Sequence, residues 1–204
     1  MSVDIFVARH GQNEDNINRI LGGHRDRPLT DLGRAQARDL GQSIADIGLT
    51  FDAVYCSPLI RAHETAHIVT ETAHLPQPIV MPELIERDMG IMTGKPYAQV
   101  IEESEPDNIF ITDVVTYFLN AEGAETFEQL IVRAQNILDS IHAQHSSGRV
   151  LLVCHGDIGK MLYAASAGKD WRDAIEDFHF GNAELIDLSG NGNVHTITFE
   201  QYNH

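Results

Sequence analysis

The sequence predicts an α/β fold: a three-layer α/β/α sandwich on a mostly parallel sheet, with a small helical insertion at about residues 90–125 lying over the strand ends. Short apolar runs rich in β-branched residues alternate along the chain with longer stretches of helical periodicity. Three of the runs stop abruptly at polar loops, namely Arg9-His10-Gly11, Ser57-Pro58 and His155-Gly156. With 204 residues, and no internal repeat or low-complexity linker, residues 1–204 read as one domain carrying that insertion.

The elements follow in order. Val3–Ala8 reads as a buried strand feeding a loop, and Asn16–Pro28, with Gly22, Gly23 and Pro28, as loop. Thr30 is placed to cap a helix running to about Ile47, with Leu32, Ala35, Leu40, Ile44 and Ile47 on its apolar side. Asp52–Cys56 is a second strand. Ser57-Pro58 then reads as a capped helix start, with the helix continuing to about Ala73. Pro78–Met81 is a short third strand. The insertion is expected to hold short helices around Tyr97–Glu103 and Asp107–Asn120. Thr126-Phe127-Glu128-Gln129 fits a capping box for a helix to about His145. Arg149–Cys154 is the clearest buried strand, and a helix is expected to begin near Gly156. Ala183–Leu188 and Val194–Phe199 read as closing strands around Gly190-Asn191-Gly192.

Composition narrows the function. Thirty acidic residues against fourteen basic ones give a formal net charge of −16. That balance disfavours nucleic acids and anionic membranes, both of which demand a positive patch. No apolar run approaches a membrane-spanning length, and the N-terminus lacks a basic region followed by an apolar stretch. Cys56 and Cys154 form no CxxC pair and read as reduced, buried thiols. A cytoplasmic location is therefore expected.

In open α/β sheets, ligands bind at the carboxyl ends of the strands. Arg9, His10, Arg61 and His155 would converge there as a compact cationic pocket within an acidic protein. Arginine offers a planar, permanently charged fork that matches phosphate oxygens. A neutral histidine offers a ring nitrogen able to attack phosphorus, with its tautomer fixed by a backbone carbonyl near Gly11. Fixed cations stabilise charge spread over the equatorial oxygens, and one well-placed arginine is worth roughly 10³–10⁵ in rate. A leaving alkoxide also needs a proton from a nearby carboxylic acid.

The motifs Arg9-His10-Gly11-Gln12 with Asn16, Asp26–Gly33 with Gln36-Ala37, Cys56–Ala62 with Thr65-Ala66, Leu84–Arg87 with Gly90, Gly123–Thr126 and His155-Gly156 run in order through almost the whole chain. Together they resemble the histidine phosphatase, or phosphoglycerate-mutase-like, superfamily. In motif spacing they look closest to its fructose-2,6-bisphosphatase-like branch. The resemblance implies His10 as nucleophile, with Arg9, Arg61 and His155 as phosphate ligands and Asn16 as a further contact. Glu86 becomes proton donor and then base. Arg87, at the edge of that motif, is counted among the substrate-binding residues. No metal and no cofactor are implied, the partner is a small phosphorylated metabolite, and a homodimer is left open. Asn13 stands where Ser or Thr is usual, and Asp15 where Trp is common.

Each reading has a plainer rival. His10 alone would be a surface histidine at a strand end, and Glu86 one of several carboxylates beside Glu83 and Asp88. His63-Glu64-Thr65-Ala66-His67 matches the H-E-x-x-H zinc protease helix, yet it lacks the glycine extension. Pro76 and Pro78 also interrupt the path to a third ligand. A catalytically inactive binding module is disfavoured because every member of the catalytic set is present. Between hydrolysis and phosphoglycerate mutase chemistry the insertion decides. Pro96–Val132 holds no Lys or Arg but eight acidic residues, so the expectation is a phosphatase acting on a small phosphomonoester with few extra negative charges.

Overall fold

The computed structural model describes residues 3–113, 115–177, 179–189 and 196–198, without the side chains of Ile101 and Thr196. The chain runs β1 (Val3–Arg9), α1 (Glu14–Ile17), α2 (Asp31–Asp46), β2 (Ala53–Cys56), α3 (Ile60–Ala73) and β3 (Ile79–Val80). The insertion carries α4 (Tyr97–Glu103), β4 (Ile109–Ile111) and β5 (Thr116–Phe118). Then come α5 (Phe127–Gln144), β6 (Gly148–Cys154), α6 (Gly156–Ala167), α7 (Trp171–Asp177), β7 (Leu185–Asp187) and β8 (Thr196–Ile197).

The main sheet has the order β3-β2-β6-β1-β7-β8, parallel from β3 through β1 and antiparallel at β7 and β8. Strand alternation splits β6 between two cores. Val150, Leu152 and Cys154 face the layer of α5, α6 and α7, while Leu151 and Val153 face α2 and α3. Both faces of the central strands are covered, which explains their unbroken apolar runs. No described helix is long and apolar enough to cross a membrane.

The capping expectations hold at two helices. Thr30 accepts from the Gly33 N–H, and Thr126 forms a capping box with Gln129. Four details differ. Leu32 and Ile47 are exposed at 43% and 62%, because α2 buries Gly33, Gln36, Ala37, Leu40, Gly41 and Ile44 instead. The helix expected at Ser57 starts at Ile60 behind Leu59, where Asp26 Oδ1 accepts from the Ile60 N–H at 2.7 Å, while the Ser57 hydroxyl accepts from the Leu59 N–H at 3.3 Å and lies 2.7 Å from His155 Nε2. The single turn α1, capped by Asn13, lies at the edge of a segment read as loop. The stretch expected as a helix over Asp107–Asn120 is the β4–β5 hairpin, with Ile109↔Phe118 and Ile111↔Thr116 paired. Its Ile-Phe-Ile and Thr-Tyr-Phe runs are β-branched and aromatic, a composition that suits a pleated surface better than a helix. The expected turn at Gly190–Gly192 lies outside the described residues. Of the last expected strand only residues 196–198 are described, and Thr196–Ile197 form β8.

Candidate active site

Sheet order alone brings the polar strand ends together. β2, β6 and β1 are neighbours, with Arg9 paired to Cys154 and Cys56 to Val153. The His10 N–H donates to Cys154 O at 3.0 Å and the Ser57 N–H to Val153 O at 3.0 Å, so His10, Ser57 and His155 sit side by side. The rings of His10 and His155 meet edge to face, with centroids 5.1 Å apart.

The loop after β1 is held tightly. A Cβ on Gly11 would stand 2.3 Å from Gly33 O, and one on Gly33 would stand 2.0 Å from Gln12 O, so each position excludes any side chain. The Gly11 N–H donates to Thr65 Oγ1 at 3.0 Å, and that hydroxyl donates to Arg61 O at 2.7 Å. One threonine thus ties the loop after β1 to the first turn of α3. Gln36 Oε1 accepts from the Gln12 N–H at 2.8 Å, and the Asn182 amide donates to His10 O at 3.0 Å.

His10 is buried, and its Nδ1 lies 2.6 Å from Gly11 O. A carbonyl only accepts, so the proton sits on Nδ1 and Nε2 carries the lone pair. Arg61 Nε donates to that Nε2 at 3.2 Å, while its other nitrogens donate to Arg25 O at 2.7 Å and Gly23 O at 2.9 Å. Burial, then Arg61, then Arg9 push the His10 pKa well below its ordinary value. His155 is lowered as strongly by burial, with Arg61, His10 and Arg9 adding to it. The positive charge of the pocket therefore resides in the two arginines, and both histidines are neutral at physiological pH.

Two buried polar atoms are unpartnered among the described residues, Arg9 Nε and His155 Nδ1. Buried polar atoms are almost always satisfied, so these two are open to partners that a ligand would supply. The other nitrogen of His155, Nε2, lies 2.7 Å from Ser57 Oγ.

Glu86 is the buried one among its neighbouring carboxylates, at 7% exposure. Its carboxylate accepts from the N–H groups of Arg87 at 2.9 Å, Ile158 at 3.2 Å and Asp157 at 3.3 Å. Two of those donors are the free N–H groups at the start of α6, where a negative group is favoured. Space at Gly156 is bounded by Arg9 Nε and Glu86 Oε2, at 3.7 and 3.8 Å from where a Cβ would stand. The acid and the unpartnered guanidinium N–H therefore flank one opening.

A family model described as the histidine phosphatase superfamily, branch 1, matches residues 5–201. The chain belongs to that superfamily. It is 31% identical over 166 residues to an uncharacterized phosphatase, PhoE, of Bacillus subtilis, covering 81% of this chain and 78% of the relative. It is 39% identical over 167 residues to a 2,3-bisphosphoglycerate-dependent phosphoglycerate mutase of Rhizobium etli, covering 78% and 77%. A solved mycobacterial glucosyl-3-phosphoglycerate phosphatase shares the fold, with a TM-score of 0.77 at 22% identity over 92% of this chain and 90% of that one.

The remaining candidates separate. Asn16 lies near His10 through Asn182: its Oδ1 accepts from the Asn13 N–H at 3.1 Å and from the Asn182 amide at 3.2 Å. Its own NH₂ is thereby the end it can offer a phosphate. Arg87, expected to bind substrate, is instead 1% exposed and turned into the protein. It donates to Glu125 O and Phe118 O, stands 3.6 Å from Asp157 and lies over the rings of Phe118 and Phe127. Arg87 fastens the insertion to the body. Asp15, at the position noted as unusual, is buried and paired with Arg25 at 3.1 Å.

The zinc-type motif is otherwise employed. The Glu64 carboxylate accepts from Arg34 Nε at 2.6 Å and from the Leu29 N–H, tying α3 to the start of α2. His63 and His67 pack edge to face against each other. Glu86 is held at the start of α6 by the backbone bonds given above.

Sequence reasoning missed Arg133, which grips Glu125 with two nitrogens and donates to Glu83 O, Ile85 O and Glu86 O. It positions the segment carrying Glu86 from α5, and nothing local marks an arginine in the middle of a helix for that task. Asp157 was also missed. Burial and the nearby Glu86 raise its pKa above the usual carboxylate range, and Arg87 opposes the shift.

Proposed function

We propose that the protein is a phosphatase that hydrolyses a small phosphomonoester through a phosphohistidine on His10. The carrying observation is the 2.6 Å bond from His10 Nδ1–H to Gly11 O, which leaves a bare Nε2 beside Arg61. In the first half-reaction that lone pair attacks phosphorus. The bond from phosphorus to the ester oxygen breaks, and the leaving oxygen takes a proton from Glu86. In the second, water attacks phosphorus and gives its proton to the Glu86 carboxylate. The bond to Nε2 then breaks and inorganic phosphate departs. Arg9 Nε and Arg61 hold the non-bridging oxygens in both halves. Ser57 donates to His155 Nε2 in this scheme, so the His155 proton sits on Nδ1 and serves the same oxygens.

Mutase chemistry is the second reading, favoured by the Rhizobium etli relative. It needs cations to hold a second anionic group while the intermediate reorients. Arg87 beside the insertion is engaged with backbone carbonyls and Asp157, and Lys95 within it with Glu103. The same shortage argues against a bisphosphate substrate, whatever the motif spacing.

A screen against a metabolite panel, with 2- and 3-phosphoglycerate included, tests the choice. Phosphate release from small monoesters, unaffected by chelators, is expected. Efficient interconversion of the two phosphoglycerates with little phosphate release would overturn the hydrolytic reading, and stoichiometric tightly bound zinc would restore the metal motif.

A further inference from the structure

The turn ahead of β7, residues 180–184, touches three of the candidate phosphate ligands. Arg9 Nη1 donates to Phe180 O, which engages one end of the fork while Arg9 Nε stays unpartnered. The Arg9 N–H donates to Glu184 O at 3.1 Å, and the Ala183 N–H donates to His10 O at 3.2 Å. The Glu184 carboxylate closes the turn on itself by accepting from the Gly181 N–H at 2.7 Å. Ala183 is buried with a φ of +56°, the left-handed region that a side chain disfavours. Residues held in that region persist only where their surroundings over-determine them, and they cluster at functional sites.

Asn182 joins this turn to the site through its side chain. Its amide NH₂ donates to His10 O at 3.0 Å and to Asn16 Oδ1 at 3.2 Å. Backbone partners orient both amides. His10 O only accepts, so the end of Asn182 that faces it is the NH₂ group. The Asn13 N–H only donates, so the end of Asn16 that it meets at 3.1 Å is the oxygen. Asn182 adds a second donor to that oxygen. Turning the Asn16 amide end for end would set its NH₂ against two donors.

We propose that Asn182 is a positioning residue of the phosphate site: it fixes the Asn16 amide with NH₂ toward the phosphate and couples it to the His10 backbone. The proposal rests on the phosphatase reading and deepens it. Asn16 binds the anion, and Asn182 acts through Asn16. An amide free to turn would present its oxygen to the phosphate part of the time, and the two acceptors would repel. Ordering the amide before substrate arrives means that less of the binding energy is lost to ordering it afterwards.

The test is a double-mutant cycle on Asn16→Ala and Asn182→Ala, read as Ki for inorganic phosphate against p-nitrophenyl phosphate turnover, with urea midpoints alongside. Asn16→Ala should raise Ki about 10- to 100-fold, the worth of a hydrogen bond to a charged group. Asn182→Ala should raise it about 10-fold alone but less than about 3-fold in the Asn16→Ala background, because the two act as one unit. Asn182→Asp keeps the size and sets an acceptor against His10 O and Asn16 Oδ1, so it should lose at least as much as Asn182→Ala. Made in both backgrounds, it carries the test if Asn182→Ala does not fold. A merely structural role would lower the urea midpoint and add its loss to that of Asn16→Ala. Additive losses, a wild-type Ki in Asn16→Ala or a wild-type Ki in Asn182→Asp would overturn the positioning role alone, with phosphate still released by the wild type. No phosphate release by the wild type, and no acid-labile phosphoenzyme, would overturn the phosphatase reading and the positioning role with it.

Discussion

Arg61 Nε donates a hydrogen bond of 3.2 Å to His10 Nε2, so the lone pair proposed to attack phosphorus is occupied by the side chain proposed to bind the phosphate. Arg61 is anchored through its other two nitrogens to Gly23 O and Arg25 O, which keeps the fork in place while Nε changes partner. A phosphoryl oxygen arriving between the two groups would take the Nε hydrogen and free the histidine in one movement. Substrate binding would then switch on the nucleophile, and an empty site would keep it quenched.

Replacement of His10 by Ala should reduce turnover at least about 10³-fold, as for other removed nucleophiles. Acid quenching during turnover should trap no phosphoprotein in the variant, against a labelled, acid-labile species in the wild type. Near-normal activity in the variant would exclude His10 as the attacking group.

Arg61→Lys keeps a charge but gives up the planar fork. One ammonium cannot reach Gly23 O, Arg25 O and His10 Nε2 in the same geometry. A fall in kcat of about 10²–10³ is expected, within the range for a lost phosphate-clamping arginine. Steady-state kinetics on a good substrate decides it, and a change in KM alone would contradict a transition-state role.

Glu86→Gln should separate substrates by their leaving groups. Alkyl phosphates, whose alkoxide needs a proton, should slow about 10²–10⁴-fold in formation of the phosphoenzyme. An activated ester such as 2,4-dinitrophenyl phosphate should form it at nearly the wild-type rate. Equal slowing of both classes in single-turnover measurements would show that Glu86 is not the proton donor.

His10 and His155 also set a pH dependence of stability. Their folded pKa values lie below the unfolded value of about 6.5, so at intermediate pH the unfolded chain binds more protons. Their contribution is complete above about pH 6.5 and is lost as pH falls from there toward the folded values, at about 1.4 kcal/mol per unit for each histidine. Asp157, raised in the fold, acts with the opposite sign. Urea unfolding at pH 7.5, 6.5 and 5.5 should therefore show a steeper loss in the wild type than in His155→Asn, where Asp157 is common to both. Parallel slopes would refute the assignment.

The strands, the long helices and the candidate site residues were legible because each rests on local chemistry. β-branched runs mark β1, β2 and β6, Thr30 and Thr126 mark two helix starts, and the family motifs carry His10, Arg61, Glu86 and His155. The insertion was misread in part because short apolar runs fit helix or strand equally until a partner is known. Ile109–Ile111 found its partner in Thr116–Phe118 and became a hairpin. Leu32 and Ile47 joined the wrong side of α2 because periodicity gives a stripe but not its edges, which packing against β2 and α3 settles.

The sequence by itself determined the α/β order, the acidic balance and the residues proposed for phosphoryl transfer, since these depend on residue type and short spacing. Only the tertiary structure decided how those residues are used. Arg87 became a fastener because carbonyls 31 and 38 residues away reach it. Ser57, beside the start of α3, also reaches His155, 98 residues distant. Arg133 came to hold the Glu86 segment from 47 residues further along. Buried polar groups must find partners wherever the fold supplies them, and that pairing is a property of three-dimensional neighbours rather than of the chain's local order.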